Sequence, residues 1–128
     1  MRIYRLLNRQ IERFASSGVV MTLLPFVDGA SRAHVNVAHI AAGGTLGEHP
    51  ATTVQVFAVF SGEAVVSSGI GPEQERRSLT AGHAVVWEEG EVHQTWAVTD
   101  VVATIVEAYG NDVELGLEDH FTEVMPEA

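Results

Sequence analysis

The segment GGTLGEHPATTVQVFAVFSG, residues 43–62, holds a histidine ahead of a run of β-branched and aromatic residues and ends on a glycine. Side chains alternate between the two faces of a β-strand, so residues two apart share a face. If residues 49–57 run extended, one face carries five side chains: His49, Ala51, Thr53, Gln55 and Phe57. The segment therefore predicts a strand that directs polar groups to one side of a sheet.

A second segment, GHAVVWEEGEVHQTWA, residues 82–97, places His93, Thr95 and Ala97 on one face of a further strand. A pocket built from both segments brings His49, Gln55 and His93 together above Phe57. Two imidazoles and an amide oxygen suit Zn, Fe, Ni, Cu or Mn better than Ca. We therefore predict a site for one divalent transition metal. The alternatives are two histidines satisfied by hydrogen bonds in a metal-free pocket, and a buried Gln55 amide that ties strands together.

Glycine and proline punctuate the chain at short intervals, and the runs between them are rich in Val, Ile, Thr and aromatic residues. This pattern predicts an all-β sandwich or barrel. Ser61-Gly62 and the cluster at 69–72 are typical of hairpin turns. The expected strands are 19–24, 34–41, 53–60, 63–68, 75–79, 84–88, 93–98 and 101–108.

The first 14 residues allow either an amphipathic helix or an edge strand, and we favour the strand because short N-terminal strands close small barrels. The acidic tail 110–128 shows little periodicity, and we expect it to wrap the surface or pack on a neighbour.

Composition narrows the function classes. The chain has 128 residues, 46% of them hydrophobic, which predicts a single domain with a sizeable core. Its net charge of −10 repels a phosphate backbone, so we expect no nucleic-acid partner and no binding to anionic membranes. The absence of cysteine excludes disulfides and thiolate chemistry and fits a cytoplasmic protein. Charges interrupt the N-terminus, so we predict no signal peptide, and no stretch has the length of a membrane span.

The first segment resembles the first motif of the cupin superfamily, which runs Gly, five residues, His, one, His, three or four, Glu, six, Gly. This chain places Gly43, His49, Ala51, Gln55 and Gly62 at those positions. The two outer glycines and the first histidine match. Ala51 removes one histidine, and Gln55 replaces a carboxylate by a neutral amide.

The second segment resembles the second cupin motif, which runs Gly, five residues, Pro, one, Gly, two, His, three, Asn. The corresponding residues are Gly82, Glu88, Gly90, His93 and Ala97. The glycines and the histidine match, whereas the proline and the asparagine are missing. Nineteen residues separate the two motifs, a spacing in the range of compact cupins.

This resemblance, to a small single-domain cupin of the conserved-barrel type, implies a double-stranded β-helix, or jelly-roll, barrel over residues 1–128. It also implies a homodimer through edge strands. A typical member holds a metal with three histidines and a glutamate, of which His49 and His93 remain here. The loss of the negative charge at Gln55 weakens divalent metal binding.

Further residues flank the pocket. His39 is a candidate to replace the missing histidine, or to supply a catalytic acid or base, if its face of the strand, shared with Val35 and Val37, points inward, and we favour the outward orientation. Glu107 would supply a general base or a fourth ligand, although a simple edge glutamate is the interpretation we favour. Phe57, Trp87 and Trp96 stand beside the same segments. They are candidates to stack on a ligand or, more often for such residues, to pack the barrel.

Three functions follow from these observations. The first is a metal-assisted enzyme acting on a small molecule, with dioxygenase- or isomerase-like chemistry implied by the resemblance. The second is a binding module that takes a small neutral or cationic ligand without a metal. The third, a purely structural barrel, is weaker because polar groups that face a pocket are costly unless they are satisfied.

Overall fold

The computed structural model describes residues 1–117 and 121–126, and almost all of the regular structure in them is β-strand. The strands are β1 Arg2–Arg5, β2 Leu7–Ile11, β3 Val19–Leu23, β4 Phe26–Asp28, β5 Arg32–Ile40, β6 Thr45–Pro50, β7 Val54–Ser61, β8 Glu63–Ser68, β9 Glu75–Thr80, β10 His83–Trp87, β11 Val92–Ala97, β12 Val101–Tyr109, β13 Glu114–Gly116 and β14 Thr122–Val124. Two single turns of 3₁₀-helix lie at Arg13–Ala15 and Gly71–Glu73.

Two antiparallel sheets form the barrel. The larger has six strands in the order β14-β1-β10-β7-β12-β5, and the smaller has four in the order β6-β11-β8-β9. Two further strand pairs, β2 with β3 and β4 with β13, complete the pairing among the described residues. Consecutive strands are exchanged between the sheets, as a jelly roll requires. The predicted all-β barrel is confirmed.

Apolar residues cover both faces of the central strands β7 and β10. One cluster, which includes Phe57, Val59, Val85 and Trp87, fills the barrel interior. A second cluster lies on the opposite face of the same sheet, where Leu117 contributes to its cover. Burial on both faces explains why the two strands read as continuous apolar runs, VFAVF and AVVW, instead of alternating ones.

The predicted strands agree with the observed ones to within one or two residues. The favoured strand near the N-terminus is also confirmed, but β1 lies between β10 and β14 and is therefore not an edge. Strands β4, β13 and β14 were not predicted. The predicted strand over 49–57 is corrected, because this segment is divided between β6 and β7, which belong to different sheets. Part of the tail 110–128 pairs with β4 and β1, while its residues 118–120 and 127–128 lie outside the described part of the chain.

The two predicted hairpin turns have different outcomes. β8 and β9 are antiparallel neighbours, with Ser68 opposite Glu75, so the turn at 69–72 is a hairpin. The prediction for Ser61-Gly62 is wrong, because β7 and β8 belong to different sheets. At this glycine the chain crosses from one sheet to the other. Within the described residues, no helix has the length and apolar character needed to cross a membrane.

Substitution of Gly62 tests how closely the chain packs where it crosses between the two sheets. The residue has φ of +93°, and a Cβ atom added there would lie 2.0 Å from the carbonyl oxygen of Asp100. Gly82 has a similar φ of +85° but open space around it. We expect Gly82→Ala to lower the free energy of unfolding by about 1 kcal/mol through backbone strain alone. Gly62→Ala should cost about 3 kcal/mol or more, because the clash adds to that strain. Equal losses in urea denaturation would contradict the close approach at Gly62.

Candidate functional site

A cavity of about 190 Å³ lies between the two sheets. It opens between β5 and β6, where the residues that line it are exposed. Its wall combines apolar side chains with imidazole, amide and carboxylate groups. The lining residues are Asn36, Leu46, His49, Gln55, Phe57, Trp87, His93, Thr95, Ile105 and Glu107. The structure thus brings together the three predicted metal ligands and two of the three predicted aromatic residues.

A β-bulge in β6 directs His49 into this cavity. On β11 the partners of His49 and Leu46 are His93 and Thr95, so three steps along β6 match two steps along β11. The extra residue lies at 47–48. Without it, Leu46 and His49 would point to opposite faces of the sheet, because side chains alternate along a strand. The bulge therefore allows both side chains to line the same cavity.

The two histidines lie directly opposite each other and share a tautomer. Their ring centroids are 4.5 Å apart. Nδ1 of His49 lies 2.7 Å from the carbonyl oxygen of Gly47, and Nδ1 of His93 lies 3.0 Å from that of Glu91. A carbonyl oxygen only accepts hydrogen bonds, so each Nδ1 carries the proton. In the neutral rings Nε2 then holds the free lone pair that binds metals.

The carbonyl oxygen of Glu91 organises this side of the cavity. Besides the ring of His93, it accepts a hydrogen bond of 2.9 Å from the backbone N–H of Ala51. The carbonyl oxygen of Ala51 in turn accepts one of 2.8 Å from the N–H of Gly90. The loop before β11 is therefore joined to the link between β6 and β7, which keeps the two motif segments side by side.

The side chain of Glu91 anchors the same loop. Its carboxylate accepts hydrogen bonds from the N–H of Glu88, at 2.9 Å, and from the hydroxyl of Ser68, and it also contacts the amino group of Met1. Burial raises the pKa of this carboxyl, but the hydrogen bonds and the amino group outweigh that effect and hold the pKa below its ordinary value. Glu91 is thus ionised at neutral pH.

Trp87 forms the wall behind His93. The two rings are stacked with centroids 4.1 Å apart, and Phe57 packs against the indole at 6.2 Å. The indole Nε1 donates a hydrogen bond of 3.1 Å to the carbonyl oxygen of Ser67, which joins the two sheets. His93 is only 3% exposed, and this burial lowers its pKa against the opposing effect of the Glu91 carbonyl. The ring is therefore neutral at pH 7.

Glu107 lies inside the cavity, so the favoured interpretation of an edge glutamate is wrong. Its strand, β12, is flanked by β5 and β7, and Glu107 is directly opposite the buried Gln55. The hydroxyl of Thr52 donates a weak hydrogen bond of 3.4 Å to Oε2 of Glu107. That hydroxyl also lies 3.0 Å from the hydroxyl of Tyr109. Glu107 could therefore act as a general base or a ligand toward a bound molecule.

Two candidate residues lie outside the cavity. His39 is exposed on the outer face of β5, as the favoured orientation predicted, so it does not replace the missing histidine. Trp96 alternates with His93 along β11 and points to the other face, where the guanidinium of Arg76 stacks on it at 4.3 Å. Its assignment as a pocket residue is therefore corrected.

Sequence reasoning missed Asn36, Leu46 and Ile105 as lining residues, whereas Thr95 lies on the face of His93 that strand alternation predicted. The inward face of β5 carries Asn36, and its outward face carries the exposed valines on either side of it. The polar residue between two valines was a usable signal for Asn36. No residue pattern predicted that Leu46 lines the cavity, because its orientation depends on the bulge in β6.

The donor set fits a divalent metal in part. His49 and His93 offer two nitrogen ligands, and Gln55 offers an amide oxygen. Among residues 1–117 and 121–126, however, no three His, Asp or Glu side chains are grouped closely enough to hold a metal ion. Glu107 therefore lines the same cavity as the two histidines but does not form a three-residue metal-binding group with them.

Comparisons with known proteins identify the fold. No family model matches the chain. No curated protein matches it either. Solved structures do match, among them a cupin superfamily protein from Desulfitobacterium hafniense with a TM-score of 0.55 and 11% identity, covering 66% of this chain and 76% of that one.

Two further structures agree with this result. A protein from Klebsiella pneumoniae with a double-stranded β-helix domain has a TM-score of 0.52 and 22% identity, covering 74% of this chain and 86% of that one. An oxalate oxidase has a TM-score of 0.54 and 21% identity, covering 63% of this chain and 44% of that one. The chain therefore has the cupin fold, the double-stranded β-helix barrel that its two motif segments predicted.

Proposed function

We propose that the barrel cavity binds one divalent transition metal and a small molecule beside it. His49 and His93 would hold the metal through Nε2, and Gln55 would add its amide oxygen. The observation that carries this proposal is the shared tautomer of the two opposed histidines, because both Nδ1 atoms are committed to backbone carbonyls. Such hydrogen bonds orient metal-binding imidazoles in proteins.

The proposed chemistry is dioxygenase- or isomerase-like. A bound divalent metal supplies a Lewis acid with open positions for a substrate. The chain itself contributes a carboxylate, since Glu107 lines the cavity and its Oε2 accepts a hydrogen bond from Thr52. In this proposal Glu107 would accept a proton from a bound molecule. The similarity of the fold to an oxalate oxidase supports oxygen-dependent chemistry in this kind of barrel.

The second candidate is a ligand-binding barrel without a metal. It is favoured by the absence of a third His, Asp or Glu near the two histidines in the described part of the chain. In this case His49, Gln55 and His93 would form hydrogen bonds with the ligand. The Phe57 and Trp87 rings would form the apolar wall. Metal content separates the two candidates.

We expect about one equivalent of a transition metal per chain when the untagged protein is purified without chelators and supplied in turn with Zn, Fe, Mn, Ni and Cu. His49→Ala and His93→Ala should each reduce this to near zero, because either change leaves too few ligands. His83→Ala is the matched control, since His83 lies on β10 outside the cavity. Inductively coupled plasma mass spectrometry measures the content. A wild-type protein without metal after all five additions contradicts the proposal and favours the second candidate.

The two tryptophans report where the metal binds. Cu²⁺ quenches tryptophan fluorescence at short range, and Trp87 is stacked on His93 whereas Trp96 faces away from the cavity. Titration with Cu²⁺ should therefore quench the Trp96→Phe variant, which retains Trp87, with the same midpoint as the wild type. The Trp87→Phe variant should lose most of this saturable quenching. Equal quenching of both variants would place the ion elsewhere.

A further inference from the structure

We infer that Glu107 selects the charge of the ligand: the cavity takes a small uncharged or cationic molecule that donates a hydrogen bond to this carboxylate, and it disfavours a carboxylate ligand. The inference rests on the proposed function in so far as it concerns the ligand of the same cavity. It holds with or without a metal, because it concerns the contribution of Glu107 alone.

The lining of the cavity contains one formal negative charge and no arginine or lysine. Glu107 is the only Asp, Glu, Lys or Arg among the ten described residues that line it. The chain has no lysine at all. A carboxylate ligand would therefore meet a like charge with no lysine or arginine in the lining to offset it, in a partly enclosed space where charges interact more strongly than in water.

Gln55 supports this assignment. It occupies the position directly opposite Glu107 in the β7–β12 pair, so the two side chains are neighbours on the same face. A carboxylate at both positions would place like charges side by side, which is destabilising. The amide at Gln55 avoids that repulsion and leaves the cavity with a single carboxylate. The amide of Asn36 adds a further uncharged polar group at the mouth.

Glu107 keeps acceptor positions for a ligand. An ionised carboxylate has about four acceptor positions on its two oxygens. The weak hydrogen bond from Thr52 involves Oε2. The remaining positions suit a hydroxyl, amide or ammonium donor. The cavity volume of about 190 Å³ is below the range of about 300–1,000 Å³ for drug-sized ligands, so the ligand has few heavy atoms.

The test compares three probes of nearly equal size and different charge: glycolate, glycolamide and ethanolamine. Dissociation constants are measured by NMR titration at fixed pH and ionic strength, on metal-free and metal-loaded samples of the same preparation. In each state, Glu107→Gln should strengthen glycolate binding relative to glycolamide by about tenfold or more and should weaken ethanolamine binding. In the metal-free protein, the wild type should bind glycolamide and ethanolamine more tightly than glycolate.

Two further variants sharpen the test. Glu89→Gln is the matched control, because it removes the same charge from an exposed loop and should leave the order of the three probes unchanged. Gln55→Glu adds a second carboxylate beside Glu107. It should weaken glycolate binding further and strengthen ethanolamine binding in the metal-free protein. This opposite change keeps the inference testable if Glu107→Gln folds poorly, as judged by circular dichroism.

Three results would each overturn the inference. The metal-free wild type could bind glycolate as tightly as glycolamide, no variant could alter the order of the three probes, or none of the probes could bind. Metal content of the same samples separates this result from the proposed function. A protein that binds metal without charge selection retains the metal site and loses the inference. A protein that selects by charge without binding metal retains the inference and loses the metal site.

Discussion

One backbone carbonyl, that of Glu91, connects the parts of the candidate site. It accepts hydrogen bonds from the ring of His93 and from the N–H of Ala51, and so it fixes an imidazole tautomer and joins the two motif segments. A carbonyl oxygen has two lone pairs, which allows both bonds. The half-buried, ionised side chain of the same residue holds the loop in place through Ser68. The position of His93 therefore depends on a residue whose side chain does not line the cavity.

The opposite half of the site depends on a local irregularity of β6. The bulge at 47–48 turns His49 inward, and the carbonyl of Gly47 within that bulge orients its ring. Bulges are common near functional sites because they redirect one side chain without displacing the sheet. Each histidine is thus oriented by a carbonyl two residues before it, although one lies on a bulged strand and the other on a regular one.

The sequence predicted the barrel and most strand positions, because strand periodicity and turn signals are local properties. It also predicted the meeting of His49, Gln55 and His93, but by treating 49–57 as one strand, whereas His49 lies on β6 and Gln55 on β7 in different sheets. It was less informative about which face of a lone strand points inward. Glu107 was misassigned because it lies on β12, a strand whose neighbours in the sheet cannot be read from the sequence. The sheet change at Gly62 was missed for the same reason, since a turn signal does not tell whether the two strands will pair.

Two residues that depart from the cupin motif, Gln55 and Ala51, can be related to their surroundings in the structure. The amide at position 55 removes a carboxylate from the motif, but Glu107 returns one to the adjacent position on β12. The negative charge of the cavity is thereby kept while its location changes from one strand to the next. Ala51 also has a structural role, because its backbone bonds to the loop before β11 and its small side chain is buried in the interior cluster. A larger side chain at this 5% exposed position would have to displace neighbours in that cluster.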